Sequence, residues 1–440
     1  MPRALFVVLA LGLLAGPLEA QWSNRYPKVE GYSHHVYLEG YELPTMNAGP
    51  TAPAVSPDGG RVAFSARGWI WVLDLATGRA RRVTDGPHMD FRPAWSPDGR
   101  SLAFVRDDTR DTRIVVRRLE SGAETVLDSD AIELDPAFGP GGELVYASAR
   151  AGAFDLWNGD AERISAHPGI EVGPSLSADG SVLVYLHKGP GDRIVARDRT
   201  TGEERVLATE RILSQTRPAV SPGGRRVAYN WPTQDGYELR VLSLADPTTT
   251  VRLTTGLRGL PLAPAWGPDG AWIWYTEADR SEVMRLYRIR ATGGEPEEVP
   301  IRAWDWGARM ATLRVTTRLA YGEGATGGGT AGLAPARLEV VDGSGHPVVP
   351  TSGYAQFGLE DGRIFFYSPG IVDLVLPAGD VTVSAVRGLA TPEVSRTVEA
   401  SAGGVTEVEL VLEPVWNAAA NGYLSGDHHF HLNYGGPYSL

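Results

Sequence analysis

The sequence predicts an all-β protein with a six-bladed β-propeller followed by a β-sandwich. Three observations carry this prediction. A strand–turn–strand unit recurs six times, at intervals of 38 to 46 residues. Short runs of alternating apolar and polar residues follow it over about 100 residues. The 53 glycines and 32 prolines supply the many turns that such folds need. A period near 40 with strand and turn chemistry is typical of propeller blades with about four strands each.

The repeated unit is clearest around residues 92–104. An apolar run ends at Trp95, Ser96-Pro97-Asp98-Gly99 makes a tight turn, and a second apolar run starts at Leu102. Proline presets φ in such a turn, aspartate bonds to its own backbone, and glycine accepts a positive φ. The first prolines of the six units are Pro53, Pro93, Pro136, Pro174, Pro218 and Pro264.

Two sets of equivalent positions follow from this alignment. The residue two places after each proline should be buried between neighbouring blades; the set is Val55, Trp95, Phe138, Leu176, Val220 and Trp266. The turns contribute a second set, namely Asp58, Asp98, Asp179 and Asp269. These aspartates resemble a calcium-binding ladder, but the turn chemistry favours their interpretation as turn caps.

The later strands of each unit also repeat. The third strand alternates apolar and polar residues, and the fourth is short and polar, which suits an outer edge that must not pair with another sheet. The third unit is degenerate, because Phe154–Trp157 runs directly into Asn158-Gly159 and shortens its third strand.

These units, over residues 53–306, resemble the propeller repeats of the periplasmic TolB protein. The shared pattern is proline, a small residue, an aromatic residue and Ser-Pro-Asp-Gly, although the turns at Pro140, Ala178 and Pro222 depart from it. The resemblance implies the fold and a protein or small-molecule ligand at a propeller face. It implies little about activity, because propellers serve both binding proteins and enzymes.

The N-terminal region predicts export. Residues 1–20 read as a secretory signal peptide, with Arg3, an apolar core and a break at Gly16-Pro17. We therefore expect a periplasmic or secreted protein with no membrane span after cleavage. Residues 21–52 are aromatic and irregular, and we expect them to cap one face of the propeller or to close its ring.

The amino-acid composition of the chain argues against some classes of binding partner. The net charge of −12 argues against nucleic acid and against an anionic membrane surface. Cysteine is absent, so the chain has no disulfides and no thiolate metal ligands.

Residues 308–414 contain seven predicted short strands, which indicates a β-sandwich. The run Leu376-Pro-Ala-Gly-Asp-Val-Thr-Val383 resembles the hairpin of carboxypeptidase regulatory-like (transthyretin-like) domains. A glycine-rich loop around residues 321–334 then lies between the first two strands of the sandwich.

The last segment, residues 415–440, carries the most distinctive chemical motif, Ser-Gly-Asp-His-His-Phe-His. In a strand, His429 and His431 project to one face, and Asp427 projects to the same face. Neutral imidazoles in this arrangement suit a divalent cation. A surface histidine cluster without a metal is the alternative.

This motif, placed after such a sandwich, resembles the opening strand of CehA/McbA-type metallohydrolases of the PHP superfamily. The resemblance implies that His429 and His431 are ligands of zinc, manganese or iron, with Asp427 as a third ligand or a supporting partner. The catalytic domain of that family extends far beyond this motif. We therefore expect a truncated metallohydrolase start, with no catalytic residues assigned and weak or absent metal binding.

Two functions are compatible with the sequence. The first is the non-catalytic N-terminal portion of a secreted metal-dependent hydrolase, which binds a substrate or partner and positions a missing catalytic domain. The alternative is a stand-alone periplasmic binding propeller of the TolB kind. A catalytic propeller is disfavoured, because the sequence has no Gly-x-Ser-x-Gly elbow and no cluster of acid and base across the blades. Whether the chain takes part in an enzyme stays open.

Overall fold

A computed structural model describes residues 46–423 of the chain, apart from residues 109–110, 128–130, 160–161, 190, 211–216, 234–235, 255–260, 279–282, 321–331, 352–355, 358–362 and 417–420. The described residues are all-β, as predicted, with no α-helix among them. No part of this described chain forms a helix that is long and apolar enough to cross a membrane.

The first 23 strands form six consecutive sheets, which we call repeat sheets 1 to 6. Their bounds are β1 Thr51–Val55, β2 Arg61–Ala66, β3 Trp69–Asp74, β4 Arg79–Arg82; β5 Met89–Trp95, β6 Ser101–Asp107, β7 Thr112–Arg118, β8 Glu124–Leu127; β9 Glu133–Phe138, β10 Leu144–Ser148, β11 Asp155–Asn158; β12 Ile170–Leu176, β13 Val182–Lys188, β14 Asp192–Asp198, β15 Glu204–Glu210; β16 Ala219–Val220, β17 Arg226–Thr233, β18 Gly236–Ser243, β19 Thr250–Arg252; and β20 Leu262–Trp266, β21 Trp272–Ala278, β22 Met284–Arg290, β23 Glu297–Glu298. Strands within each sheet are antiparallel and follow chain order.

Each Ser-Pro-Asp-Gly-type turn joins the first two strands of its sheet, as the repeat predicts. In the first unit, Asp58 Oδ1 accepts hydrogen bonds from Ser56 Oγ at 2.5 Å and from Gly60 N at 2.9 Å. Asp98 and Asp179 make the same bonds in their own turns, and Asp269 accepts one from Ala271 N. The interpretation of these aspartates as turn caps is confirmed.

The third strand of the third sheet is short, as predicted, since β11 has only four residues. Among the described residues this sheet has three strands, and no regular fourth strand follows β11. Ile164 N donates to Leu156 O at 2.7 Å, and a single bridge joins Trp157 to Arg163. These bonds cover the outer edge of β11 where a regular fourth strand would lie.

The first strands of the six sheets contact one another in chain order. Each packs against the first strand of the next sheet, and β20 of the sixth sheet packs against β1 of the first. These contacts therefore lead from the first sheet to the sixth and back to the first.

The equivalent positions after the prolines are only partly as expected. Trp95, Val220 and Trp266 are buried, and the Trp95 indole N–H donates to Ala54 O of the preceding sheet at 2.9 Å. Val55, Phe138 and Leu176 are half-buried, so the expectation of full burial is wrong for these three residues. Their side chains pack at the margins of the hydrophobic clusters.

A fifth strand, β24 (Ala303–Asp305), joins repeat sheet 1. It runs parallel to β4, which lies at the outer edge of that sheet. Arg79 and Asp305 form an ion pair at 2.9 Å across this edge. The added strand at this edge thus comes from the C-terminal end of the repeat region, whereas the sequence reasoning looked for a closing element in residues 21–52, of which 21–45 lie outside the described residues.

Nine further strands form two sheets. Their bounds are β25 Met310–Leu319, β26 Gly332–Leu333, β27 Ala336–Asp342, β28 Gln356–Phe357, β29 Ile364–Ser368, β30 Ile371–Pro377, β31 Gly379–Val386, β32 Val394–Ala400 and β33 Val405–Leu412. Strand β25 pairs with β26 and β30 antiparallel and with β33 parallel. The other sheet has the order β28-β29-β27-β31-β32. Apolar side chains from both sheets pack into one core, including Leu313, Leu338, Val383 and Leu410.

The C-terminal sheets contact repeat sheets 1 and 2. Met46, Met89, Val349 and Ile364 form one buried cluster between them. His346 is completely buried, and its ring stacks on Trp69 of β3. The two regions therefore share an interface that is both apolar and aromatic.

Candidate functional site

The predicted metal ligands Asp427, His429 and His431 lie outside the described residues. Within the described ranges, no group of three or more histidine, cysteine, aspartate or glutamate side chains is arranged to hold a metal ion. The metal site at these three residues therefore stays a prediction.

In five of the six units, the residue before the repeat proline has a left-handed backbone. In this set φ is positive at Ala52, Arg92, Asp135, Gly173 and Ala263, between 49° and 62°. The pairing of the first and second strands shifts at these points, which is the signature of a β-bulge. Proline is tolerated at a bulge because it has no N–H to donate to the ladder.

Three of the six residues before the repeat prolines carry charge, and both arginines among them contact the aspartate. Arg92 Nη1 lies 2.5 Å from Asp135 Oδ1, which joins repeat sheets 2 and 3. Arg217 Nε lies 3.5 Å from Asp135 Oδ2, although Arg217 belongs to sheet 5. We call Arg92, Asp135 and Arg217 the axial cluster.

Gly173, the equivalent residue of sheet 4, completes the arrangement. Its N–H donates to Asp135 Oδ2 at 3.0 Å. A Cβ at Gly173 would lie 2.9 Å from Cδ of Arg217, so glycine is what lets the arginine pass sheet 4 and reach Asp135. The positive φ of 62° also favours glycine here.

The axial cluster is largely removed from solvent. The Asp135 side chain is 5% exposed, and those of Arg92 and Arg217 are 13% exposed each. Burial alone would raise the pKa of Asp135, but the charges of Arg92 and Arg217 outweigh it and hold that pKa below its usual value. Asp135 therefore stays ionised at neutral pH.

Lys188, one of only two lysines in the chain, adds to the positive charge near the cluster. Burial lowers the pKa of Lys188 to about 8; Asp192 opposes this shift, and the positive charge of Arg217 adds to it. Perturbed titrating groups of this kind cluster at functional sites.

A second set of buried carboxylates is structural. Asp90, Glu133 and Glu171 occupy one repeat position in sheets 2, 3 and 4. Asp90 makes two bonds to Arg106 of the neighbouring strand, at 2.8 and 3.0 Å, and Glu133 pairs with Arg150 at 2.8 Å. In sheets 2 and 3 these pairs hold the first strand to the second strand or to the residues just after it, so they support the packing of each sheet.

In sheet 4, the carboxylate at this position and two neighbouring side chains superficially resemble a catalytic triad. Ser165 Oγ donates to Glu171, and His187 Nδ1 lies 3.5 Å from the other oxygen of that carboxylate. The glutamate thus stands between serine and histidine, so the imidazole is not placed to take the serine proton. The arrangement links β12, β13 and the segment between β11 and β12, and it does not make a nucleophile.

The axial cluster was not predicted from the sequence. The residues before the six repeat prolines are, in order, Ala, Arg, Asp, Gly, Arg and Ala. Charged residues among apolar neighbours in a repeated central strand were the available signal.

Comparisons with known proteins agree with the propeller architecture. Residues 44–242 match the family model described as TolB beta propeller domain. The Tol-Pal system protein TolB of Francisella tularensis subsp. mediasiatica is 24% identical over 260 residues, which is 54% of this chain and 58% of that protein. The uncharacterized peptidase YuxL of Bacillus subtilis is 28% identical over 195 residues, which is 41% of this chain and 29% of that protein. The chain thus spans less than two thirds of either relative.

Among solved structures, TolB from Acinetobacter baumannii aligns with a TM-score of 0.44 and 24% identity, over 49% of this chain and 56% of that one. The putative TolB from Agrobacterium tumefaciens aligns with a TM-score of 0.45 and 18% identity, over 52% and 86%. On the match of the family model and of the TolB sequences, the chain contains a TolB-like β-propeller domain.

Proposed function

We propose that this chain is the binding and positioning portion of a periplasmic or secreted protein. Repeat sheets 1 to 6 act as one closed six-bladed propeller with a ligand or partner at a face on its axis. The two C-terminal sheets act as a β-sandwich that is fixed to the propeller. The ring of contacts among the six first strands supports the closed propeller, and the shared apolar core supports the sandwich.

The axial cluster is the observation that carries the binding role. The axis is the one place that all six sheets share, and side chains from sheets 2, 3 and 5 meet there around a buried carboxylate.

Two versions of this proposal share the binding role. In one, the chain is the non-catalytic N-terminal portion of a metal-dependent hydrolase, and the motif with Asp427, His429 and His431 opens its catalytic domain. In the other, the chain acts alone in the periplasm, as a binding propeller of the TolB kind. The His-x-His motif favours the first version, and the matches to TolB favour the second.

Ligand binding is tested with the purified chain and a panel of short peptides, sugars, carboxylates and phosphates, read by calorimetry. We expect at least one class to bind, and leucine in place of Ala52 or Ala263 to weaken that binding, because both alanines hold the axial repeat position. A compound that binds these variants and the unaltered chain equally well binds elsewhere and contradicts the axial site.

The two versions are separated by metal binding and by turnover. In the hydrolase version, zinc or manganese binds weakly and the double variant His429→Ala/His431→Ala abolishes this binding. Binding should weaken as pH falls through the histidine range, because the ligands must be neutral. Hydrolysis of a phosphodiester or amide that survives the double substitution would contradict both versions, since catalysis would then lie elsewhere in the chain.

A further inference from the structure

We propose that a cleft between repeat sheet 1 and the C-terminal sheets binds a short apolar monocarboxylate, whose carboxylate pairs with the guanidinium of Arg67. We call this place the junction cleft. Its lining residues include Arg67, Trp69, Trp306, Val348, Val375 and Leu376. The junction cleft shares no residue with the axial cluster, so the inference goes beyond the proposed function and does not depend on it.

The backbone of Arg67 is held in place from two sides. Arg67 and Gly68 form the two-residue turn between β2 and β3, with φ of 53° and 76°. Positive φ at both central residues is typical of a tight hairpin turn. Arg67 N donates to Asn47 O at 2.7 Å, and Arg67 O accepts the hydrogen bond from His346. The side chain therefore starts from a fixed point at the cleft.

The guanidinium of Arg67 has no counter-ion in the part of the chain that the structure describes. Its Nε is completely buried and makes no hydrogen bond, and no acidic side chain of these residues forms an ion pair with it. Burial lowers the pKa of Arg67 to about 10, so the group is still charged at neutral pH. A buried charge is costly unless an opposite charge matches it. An anion in the junction cleft would supply that opposite charge.

The indole of Trp306 stabilises this cation without neutralising it. The guanidinium carbon of Arg67 lies 5.2 Å from the centre of the Trp306 ring, a distance at which a cation is attracted to the ring face. Trp306 packs edge-on against Trp69 and Trp71, with ring centres 6.0 and 5.1 Å apart. A contact with a ring face leaves the planar N–H donors of a guanidinium available for the oxygens of a carboxylate.

The lining and the size of the junction cleft narrow the ligand. Among the described residues that line it, Arg67 alone is charged, so a single negative charge matches it and a phosphate dianion does not. The other lining residues are tryptophan, valine, leucine and proline, which favour an apolar tail. The space is about 230 Å³, part of it open to solvent, below the roughly 300 Å³ of the smallest pockets for drug-sized ligands. A free short-chain acid and the C-terminal residue of a peptide both have this chemistry.

The test measures the binding of isovalerate and of N-acetyl-leucine to the purified chain by calorimetry, at neutral pH and constant ionic strength. The first compound represents a free acid, and the second represents a peptide C-terminus. Their uncharged amides, isovaleramide and N-acetyl-leucinamide, are the matched control ligands. We expect saturable binding of at least one acid and no binding of the amides, because the amides lack the charge that Arg67 matches. The acid that binds more tightly identifies the source of the carboxylate.

Two substitutions locate the binding. Arg67→Gln removes the charge and should weaken binding about tenfold or more, as is usual when one partner of a buried charge pair is lost. Val375→Phe places a larger side chain in the cleft without changing its charge, and it should weaken binding as well. Arg205→Gln is the matched control, because it removes the same charge from an exposed position on β15 and should bind as the unaltered chain does. Thermal unfolding verifies that each variant is folded.

Three results would overturn the inference: neither acid binds, the amides bind as well as the acids, or Arg67→Gln binds like the unaltered chain. The comparison of acids with amides needs no variant, so it holds even where Arg67→Gln folds poorly. If an acid keeps its affinity in Arg67→Gln but loses it in Ala263→Leu, it binds at the axial position. The proposed function then stands, and this inference falls.

Discussion

The imidazole of His346 stacks on the indole of Trp69, with 3.6 Å between ring centroids and 16° between their planes. His346 follows β27 in the C-terminal sheets, and Trp69 begins β3 of repeat sheet 1. Nε2 of the imidazole lies 2.9 Å from the carbonyl oxygen of Arg67, so this nitrogen carries the proton and donates it. One fully buried side chain thus joins the two regions by both stacking and a hydrogen bond.

Replacing His346 by alanine should loosen this junction. The substitution removes the stacked ring and the bond to Arg67, and it leaves a cavity beside Trp69. We expect a loss of about 2–4 kcal/mol in the free energy of unfolding, in the range of large-to-small changes in a core. Chemical denaturation measures it. His88→Ala, at a half-buried residue outside this stack, is the control and should change little; an equal effect of both variants would contradict the role of the junction.

Stability should also depend on pH through His346. Burial lowers the pKa of this imidazole to about 4, from an ordinary value of 6.5, although Asp342 and the bond to Arg67 act in the opposite direction. Between pH 6.5 and about 4, the unfolded chain binds a proton at His346 that the folded chain does not. Stability from this group therefore falls as pH falls through that window and changes no further below it.

The difference between an ordinary pKa of 6.5 and one of about 4 corresponds to about 3 kcal/mol. The measurement compares unfolding at pH 7.5 and pH 4.5 for the unaltered chain and for His346→Gln. The variant lacks the titrating ring, so its loss on acidification should be smaller. Equal losses in the two proteins would show that other groups set the acid sensitivity.

Gly68 makes room for the His346 ring. Its φ is 76°, and a Cβ there would lie 2.7 Å from Cε1 of His346. Gly86 has a similar φ of 89°, but a Cβ added to Gly86 would have no neighbouring atom within 4 Å. Gly86→Ala should therefore cost only the strain of a left-handed alanine, about 1–2 kcal/mol, and Gly68→Ala should cost clearly more. Thermal unfolding compares them; a Gly68→Ala loss no larger than that of Gly86→Ala would contradict the close approach.

Trp95 should contribute strongly to the contact between repeat sheets 1 and 2. Its side chain is buried, its N–H donates to Ala54 O at 2.9 Å, and the guanidinium of Arg61 lies 4.6 Å above its ring. We expect Trp95→Ala to cost about 3–5 kcal/mol. Trp95→Phe keeps most of the buried surface and should cost about 1 kcal/mol for the lost hydrogen bond. A loss below about 1 kcal/mol for alanine would mean that this contact is dispensable.

Local sequence patterns predicted the local structure well. The four turn aspartates, the strand–turn–strand units and the shortened third sheet all depend on residues close together in the chain, where φ preferences and alternation decide the outcome. The half-burial of Val55 was not predictable in this way, because it depends on how neighbouring sheets pack.

Long-range contacts explain what the sequence did not predict. His346 bonds to the carbonyl of Arg67, which is 279 positions away in the chain, and Asp135 of the third unit contacts Arg217 of the fifth. Neither pair has a local pattern that connects its members. The charged residues before three of the repeat prolines were the sequence feature that could have indicated the axial cluster.

The attachment of β24 to β4 has a consequence for the order in which a newly made chain can mature. Repeat sheets 2 to 6 use residues that leave the ribosome one after another, so each sheet is complete soon after its last strand emerges. Repeat sheet 1 is begun first, but it is complete only after residues 303–305 have been synthesised. The stacking position beside Trp69 is filled only after His346 has also been synthesised. The first repeat sheet to be synthesised is thus the last to be finished, and its completion requires that the other five repeat sheets have already been synthesised.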